Sequence, residues 1–192
     1  MEELILDMNK RYSYADYLTW MDGVRRELFD GYIRVMNFPV VDKRKSDSEI
    51  ISALNNTLKN AICQTYVEPF EIFLSNNFEG KVITPISIKP SLSVFYKNVK
   101  IQNNSYSGAP DMIIEIVSPS KAKYVVETKF QLYQNNGVRE YWIVFPYEST
   151  ILVYLLDDNG KYQQKGIFAD DDKIPVNIFN GDLVVDLTEV FE

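Results

Sequence analysis

The run Met112-Ile113-Ile114-Glu115-Ile116-Val117 is apolar except for one carboxylate. It constrains the fold more than any other stretch, because a helix and a second apolar run come directly after it. Ser118-Pro119-Ser120 supplies a helix cap and a first-turn proline. The periodic residues Tyr124, Val125, Leu132 and Tyr133 come next, and Gly137 stands where glycine ends a helix. A second apolar run, 141–145, begins almost at once. The strand–helix–strand unit from Met112 to Phe145 is long enough for a crossover between parallel strands.

The rest of the chain builds around that unit. Ser13 can cap a short helix with Tyr14, Tyr17 and Leu18 on one face. Residues 27–35 read as a hairpin turning at Asp30-Gly31. Ile50, Ile51, Leu54, Leu58 and Ile62 recur at helical spacing and predict a helix over 46–62. Strand-like runs occupy 66–74, 82–88, 92–96 and 151–156. The expected fold is α/β or α+β, a mixed central sheet with two main helices. At 192 residues, with no linker or internal repeat, the chain reads as one domain over 1–192.

Histidine is absent, which excludes Ser-His-Asp and Cys-His nucleophile systems and histidine-bearing zinc sites within this chain. Acid–base work falls to carboxylates, lysine, tyrosine or water. The single cysteine, Cys63, lies in an apolar stretch and is expected to be a buried, inert thiol, which fits a reducing compartment. The acidic N-terminus is unlike a signal peptide, no run approaches a membrane span, and a cytoplasmic location is expected. Residues from Asp157 onward carry nine acids and three bases, so they hold most of the net charge of -7. That acidity argues against a broad DNA-coating surface but leaves room for a basic cleft earlier in the chain. Lys43-Arg44-Lys45 and the group Lys121, Lys123 and Lys129 are candidates, with ordinary solvated charge as the alternative. Exposed aromatics among the 13 tyrosines could support a homodimer, although no stripe singles out an interface.

A carboxylate in the middle of a buried strand is costly unless it is paired, hydrogen-bonded or metal-bound. Glu115 is therefore either functional or half of a structural ion pair with Arg139 or Lys129. Asp111 shares its strand face, but four residues of strand span roughly 13 Å. Carboxylate oxygens sit about 2.1 Å from a bound Mg²⁺. One ion cannot easily take both, so a second acid must come from a neighbouring strand, and Asp111 serves equally well to fix its loop. Lys129 either folds back over the sheet toward Glu115, with Tyr133 one turn on, or stands in solvent as a helix lysine. Glu27, taken alone, reads as an exposed hairpin charge.

The string Gly108-Ala109-Pro110-Asp111 through Glu115 to Ser120, continued by Lys129, Tyr133 and Gly137-Val138-Arg139-Glu140-Tyr141-Trp142, resembles a bacterial restriction-endonuclease family of the PD-(D/E)XK nuclease superfamily. The likeness extends to Arg26-Glu27-Leu28-Phe29-Asp30-Gly31 and to residues 185–191. It implies a restriction-endonuclease-like core, a mixed sheet flanked by helices, with an N-terminal hairpin and extra C-terminal strands. It also implies Mg²⁺ or Mn²⁺ as cofactor and nucleic acid, DNA in the first instance, as partner. Glu27 and Glu115 match the family's acids, and Lys129 matches a lysine moved from two residues after the strand glutamate onto the following helix. The backbone carbonyl of Ile116 would be a metal ligand.

This chain departs from the pattern where it matters. The family's Pro-Asp falls on Pro90-Ser91, so Ser91 stands at the second metal-ligand position, and a hydroxyl is a poor ligand for a hard cation. Val125 stands where the family has an acid, and residues 46–49 lack the histidine that members often place before the first long helix. Two functions are compatible with these residues. One is a metal-dependent endonuclease using Glu27, Glu115 and Lys129, with Asp111 or water replacing the missing ligand. The other is a catalytically inactive nuclease-fold protein that binds nucleic acid or another protein.

Overall fold

The computed structural model describes residues 4, 6–20, 22, 24, 26–29, 31–35, 41–59, 61, 63–78, 81–96, 99–117, 123–169 and 171–191. In chain order, α1 (Tyr14–Tyr17) precedes the hairpin β1 (Arg26–Phe29) and β2 (Tyr32–Val35), and α2 (Val41–Lys59) comes after it. Next come β3 (Gln64–Val67), β4 (Glu71–Phe78), β5 (Lys81–Ile88), β6 (Leu92–Phe95), β7 (Ser105–Ser107) and β8 (Met112–Ile116). A π-helical turn (Tyr124–Lys129) runs into α3 (Phe130–Asn135). The chain finishes with β9 (Glu140–Phe145), β10 (Thr150–Leu156), β11 (Tyr162–Ala169), β12 (Lys173–Val176), β13 (Leu183–Asp186) and α4 (Thr188–Phe191).

The strands form a six-stranded sheet in the order β11-β10-β9-β8-β6-β3 and a five-stranded sheet in the order β2-β1-β5-β4-β7, with β12 and β13 as a separate pair. The expected crossover is present: β8 and β9 lie parallel, with Met112 level with Glu140 and Glu115 level with Ile143. The remaining pairs of the six-stranded sheet are antiparallel, so the sheet is mixed. Alternation along β8 and β9 sends side chains to two cores. Met112, Ile114, Trp142 and Val144 pack with Leu54 and Leu58 of α2 and with Ile174, Val176 and Val185 of the β12–β13 hairpin. Ile113, Tyr141 and Ile143 pack on the other side with Leu132 and Tyr133 of α3 and with Ile72, Leu74, Ile86 and Ile88 of the five-stranded sheet. Among the described residues, no helix is long and apolar enough to cross a membrane.

Several expectations are corrected. The strand read over 66–74 is two strands in different sheets, separated at Glu68-Pro69-Phe70. Proline has no N–H for a ladder, so the run turns a corner there. The first long helix begins at Val41 rather than Ser46. Cys63 is half-buried, and its thiol donates to the Leu58 carbonyl at 3.1 Å. The helix after β8 starts as a π-helical turn. Asp30 of the hairpin turn, Ile62, Lys121 and the Ser118-Pro119-Ser120 cap lie outside the described residues, as do the side chains of Lys43-Arg44-Lys45. Gly137, with φ at 79°, comes after α3 as expected and takes the left-handed conformation that glycine adopts without a side-chain clash.

Candidate active site

Three elements distant in sequence meet between the two sheets. β1 brings Glu27, β8 brings Glu115, and the helical segment brings Lys129. The Lys129 ammonium lies 2.8 Å from Glu115 Oε1 and 3.1 Å from Glu27 Oε1. Glu27 is 0%, Glu115 4% and Lys129 2% exposed. Glu27 is therefore a buried acid, not the exposed hairpin charge its local sequence suggests. Lysine makes that burial tolerable by supplying opposite charge at hydrogen-bond distance.

The helical segment owes its reach to two spacings. In the π-helical turn, hydrogen bonds span five residues rather than four. Tyr124 and Lys129, five apart, therefore both reach Glu27. The Tyr124 hydroxyl donates to Glu27 Oε2 at 3.2 Å, and the Lys129 ammonium meets Oε1. From Lys129 onward the helix is α-type, and residues four apart share a face. Tyr133 thus joins Lys129 on Glu115, its hydroxyl donating to Oε1 at 2.5 Å. Among the described residues, both side-chain contacts to Glu115 fall on Oε1 and none on Oε2.

Burial pushes the Glu115 carboxyl above the usual carboxylate range, and the Lys129 charge pulls against it. Burial alone would lower Lys129. The carboxylates of Glu115 and Glu27 outweigh it and hold the ammonium above its ordinary value. The Tyr133 phenol is raised well above its ordinary value, first by burial and then by the Glu115 charge, so it stays a donor at neutral pH.

Ser91 sits just before Leu92, which pairs with Ile114, and so reaches the same stretch of β8 from β6. Its hydroxyl accepts from the Ile116 backbone N–H at 3.1 Å. Asp111 is not part of the cluster. It pairs with Arg139 at 2.6 Å and accepts from the Tyr96 backbone N–H at 2.7 Å, fixing the start of β8. Of the two ion-pair partners foreseen for Glu115, Lys129 takes that role and Arg139 turns to Asp111.

Sequence reasoning missed Tyr124, Tyr17 and Lys89. Lys89 donates its backbone N–H to Glu27 Oε1 at 3.2 Å and its ammonium to the Tyr17 hydroxyl at 2.8 Å. The one local signal was that Lys89 immediately precedes the Pro90-Ser91 pair.

Among the described residues, no three His, Cys, Asp or Glu side chains gather closely enough to hold a metal ion by themselves. Magnesium, however, commonly takes one or two carboxylates and fills its shell with water and substrate phosphate oxygens. Glu115 Oε2, which takes none of the contacts above, is the oxygen suited to a hard cation of that kind, with the weaker Ser91 hydroxyl on the neighbouring Ile116 N–H. Both Glu27 oxygens are already engaged, by Lys129, the Lys89 N–H and Tyr124.

A family model described as "Uma2: Putative restriction endonuclease" matches residues 14–188. Among solved structures, the chain is similar to a crystal structure described as a "putative nuclease belonging to DUF820" from Anabaena variabilis ATCC 29413. The two share 22% identity and superimpose with a TM-score of 0.71, covering 93% of this chain and 97% of that one. That likeness shows the fold, a restriction-endonuclease-like arrangement of mixed sheets and few helices. No curated protein matches the chain.

Proposed function

The chain belongs to the Uma2 restriction-endonuclease family, and on that premise we propose that it is a Mg²⁺- or Mn²⁺-dependent endonuclease that hydrolyses phosphodiester bonds of DNA. The observation that carries this reading is the Lys129 ammonium within 3.1 Å of both Glu27 and Glu115.

Glu115 and the Ile116 carbonyl are the groups that would hold the metal, with Ser91 a weaker contributor, while Glu27 fixes the Lys129 ammonium. When bound, the metal would polarise the phosphate and lower the pKa of a water nucleophile. Lys129 supplies positive charge where negative charge develops on the attacked phosphate. Tyr133 holds Glu115 by Oε1 and leaves Oε2 to a ligand. Tyr124 and the Lys89 backbone N–H orient Glu27. The low exposure of the cluster excludes bulk water and strengthens each of these interactions.

Cleavage of supercoiled plasmid with Mg²⁺ or Mn²⁺ tests the proposal. Glu115→Ala should remove the activity, and a rate unchanged by that substitution would sink it.

A second reading, a nuclease-fold protein without catalysis, is favoured by Ser91. The resemblance puts an acid at this position, whereas here a hydroxyl is engaged by the Ile116 N–H. Under that reading neither metal raises the melting temperature, since a ligand that binds only the folded state must stabilise it.

A further inference from the structure

Three cations lie on or beside β1, and two of them are ion-paired. Lys129 bridges Glu27 and Glu115. Arg26 makes two bonds to Asp22, at 2.6 and 2.7 Å. Lys89 is the third, and it differs. Its backbone N–H anchors it beside Glu27. Its ammonium donates to two neutral oxygens, the Tyr17 hydroxyl at 2.8 Å and the Arg26 carbonyl at 3.4 Å. The Tyr17 ring lies 5.5 Å from the same nitrogen. Among the described residues, Arg26 and Lys129 make ion pairs and Lys89 makes none.

A lysine ammonium carries three N–H donors. Two are taken by neutral oxygens, which leaves one donor and the whole positive charge without an anion among the described residues. Holding a half-buried cation against neutral partners costs desolvation that an incoming anion would offset. A structural lysine in this position would be expected to have recruited a carboxylate, as Arg26 recruits Asp22. Lys89 is instead oriented by Tyr17 and the β1 backbone and stays two residues from Ser91 on the Glu27 side of the cluster.

We infer that Lys89 binds a backbone phosphate of the nucleic acid, its free N–H donating to a non-bridging oxygen, with the Tyr17 hydroxyl as the neutral prop that aims it. The inference rests on the nucleic-acid reading of the site. A contact of this kind positions the strand and carries no sequence information.

The test is the salt dependence of binding to a short fluorescein-labelled DNA duplex, measured by anisotropy on Glu115→Gln protein so that cleavage does not intervene. One phosphate contact contributes about 0.9 to the slope of log K against log salt on duplex DNA. Lys89→Met should lower the slope by about that amount, and Lys89→Arg should keep it. Tyr17→Phe retains the charge, so it should weaken binding while preserving the slope. Thermal melting of each variant confirms folding, and Lys89→Gln replaces Lys89→Met if the latter does not fold. An unchanged slope in a folded Lys89 variant overturns this inference and leaves the nucleic-acid reading standing. A Glu115→Gln protein that binds no duplex at any salt concentration overturns both.

Discussion

Two buried glutamates stand on adjacent parallel strands and face opposite sides of one sheet. Glu115 on β8 faces the five-stranded sheet and meets a lysine. Glu140 on β9 is level with Met112, faces α2 and the C-terminal hairpin, and meets no cation among the described residues. Its Oε1 accepts from Trp142 Nε1 at 2.9 Å and from Asn177 Nδ2 at 3.2 Å, and its Oε2 accepts from the Ile178 N–H at 2.8 Å. Both oxygens of Glu140 are thus committed to neutral donors, two of them on the segment after β12. Glu115 keeps one oxygen uncommitted and shares the Lys129 ammonium with Glu27. The difference separates a carboxylate that pins a structural element from one that, on the proposed function, is arranged for chemistry. Neutral donors hold a carboxylate in place, whereas an adjacent ammonium and a free oxygen let it engage a charged ligand.

Lys129 is the sharpest point at which to break the comparison. Lys129→Met leaves Glu115 and Glu27 without compensating charge, and removing one partner of a buried pair costs about 3–5 kcal/mol. Urea unfolding should show a loss of that size, together with loss of cleavage. If stability changes by less than about 1 kcal/mol, Lys129 is not the group that makes these two acids tolerable. Glu115 would then resemble Glu140, with neutral bonding sufficient.

The contrast also marks how much the sequence alone reveals. A lone acid in an apolar strand points to Glu115, and the four-residue spacing points to Lys129 and Tyr133 on one helix face. Tyr124 stays hidden because five residues place it off that face in an α-helix, and nothing in its composition announces a π-helical turn. The Lys89–Glu27 contact spans 62 residues and depends on β1 pairing with β5, which no local pattern encodes. Glu140 stands at the edge of an apolar run, where an acid ordinarily marks a strand end. Its partners at Asn177 and Ile178 lie on an irregular segment with no periodicity to read. The strands from β11 onward are likewise weak in sequence, since Gln163, Gln164 and Lys165 of β11 are exposed. Fold class was legible because it rests on the crossover and the long helix α2, and these have strong periodic signals. The far partners of the site were not, because tertiary register sets them.

Glu140→Gln sharpens the comparison from the other side. The amide keeps one acceptor and turns an NH2 group toward a donor, either the Ile178 N–H or the Trp142–Asn177 pair. A buried donor left unsatisfied costs about 1–3 kcal/mol. The loss should appear as faster amide exchange at Ile178 and in β12–β13, with Trp142 fluorescence reporting the altered contact. Cleavage should stay within a factor of about two of wild type, because Glu140 reaches neither Glu115 nor Lys129. Loss of activity comparable to that of Glu115→Ala would mean that the two faces of the sheet are coupled.

The smallest effect is in pH. Burial raises the Glu140 carboxyl above its ordinary value, with the Trp142, Ile178 and Asn177 donors opposing the shift. A carboxyl raised in the folded state binds more protons there than in the unfolded chain. Its contribution to stability is therefore full below the ordinary carboxylate pKa and falls as pH rises from that value through the raised one. Two other acids behave oppositely. Asp22, held down first by its hydrogen bonds to Arg26, and Asp157, held down first by the Lys161 backbone N–H, stabilise above the ordinary range and lose that contribution below it. The two windows meet at the ordinary value of about 4 and do not overlap. Glu115 is present in both wild type and Glu140→Gln and cancels in their difference. Subtracting the unfolding free energies of the two proteins across pH should leave a wild-type advantage that is largest in acid and declines above pH of about 4. A difference that stays flat through neutral pH would show that the neutral donors compensate the burial of Glu140 fully, and that a carboxylate on this face is held as comfortably as one in water.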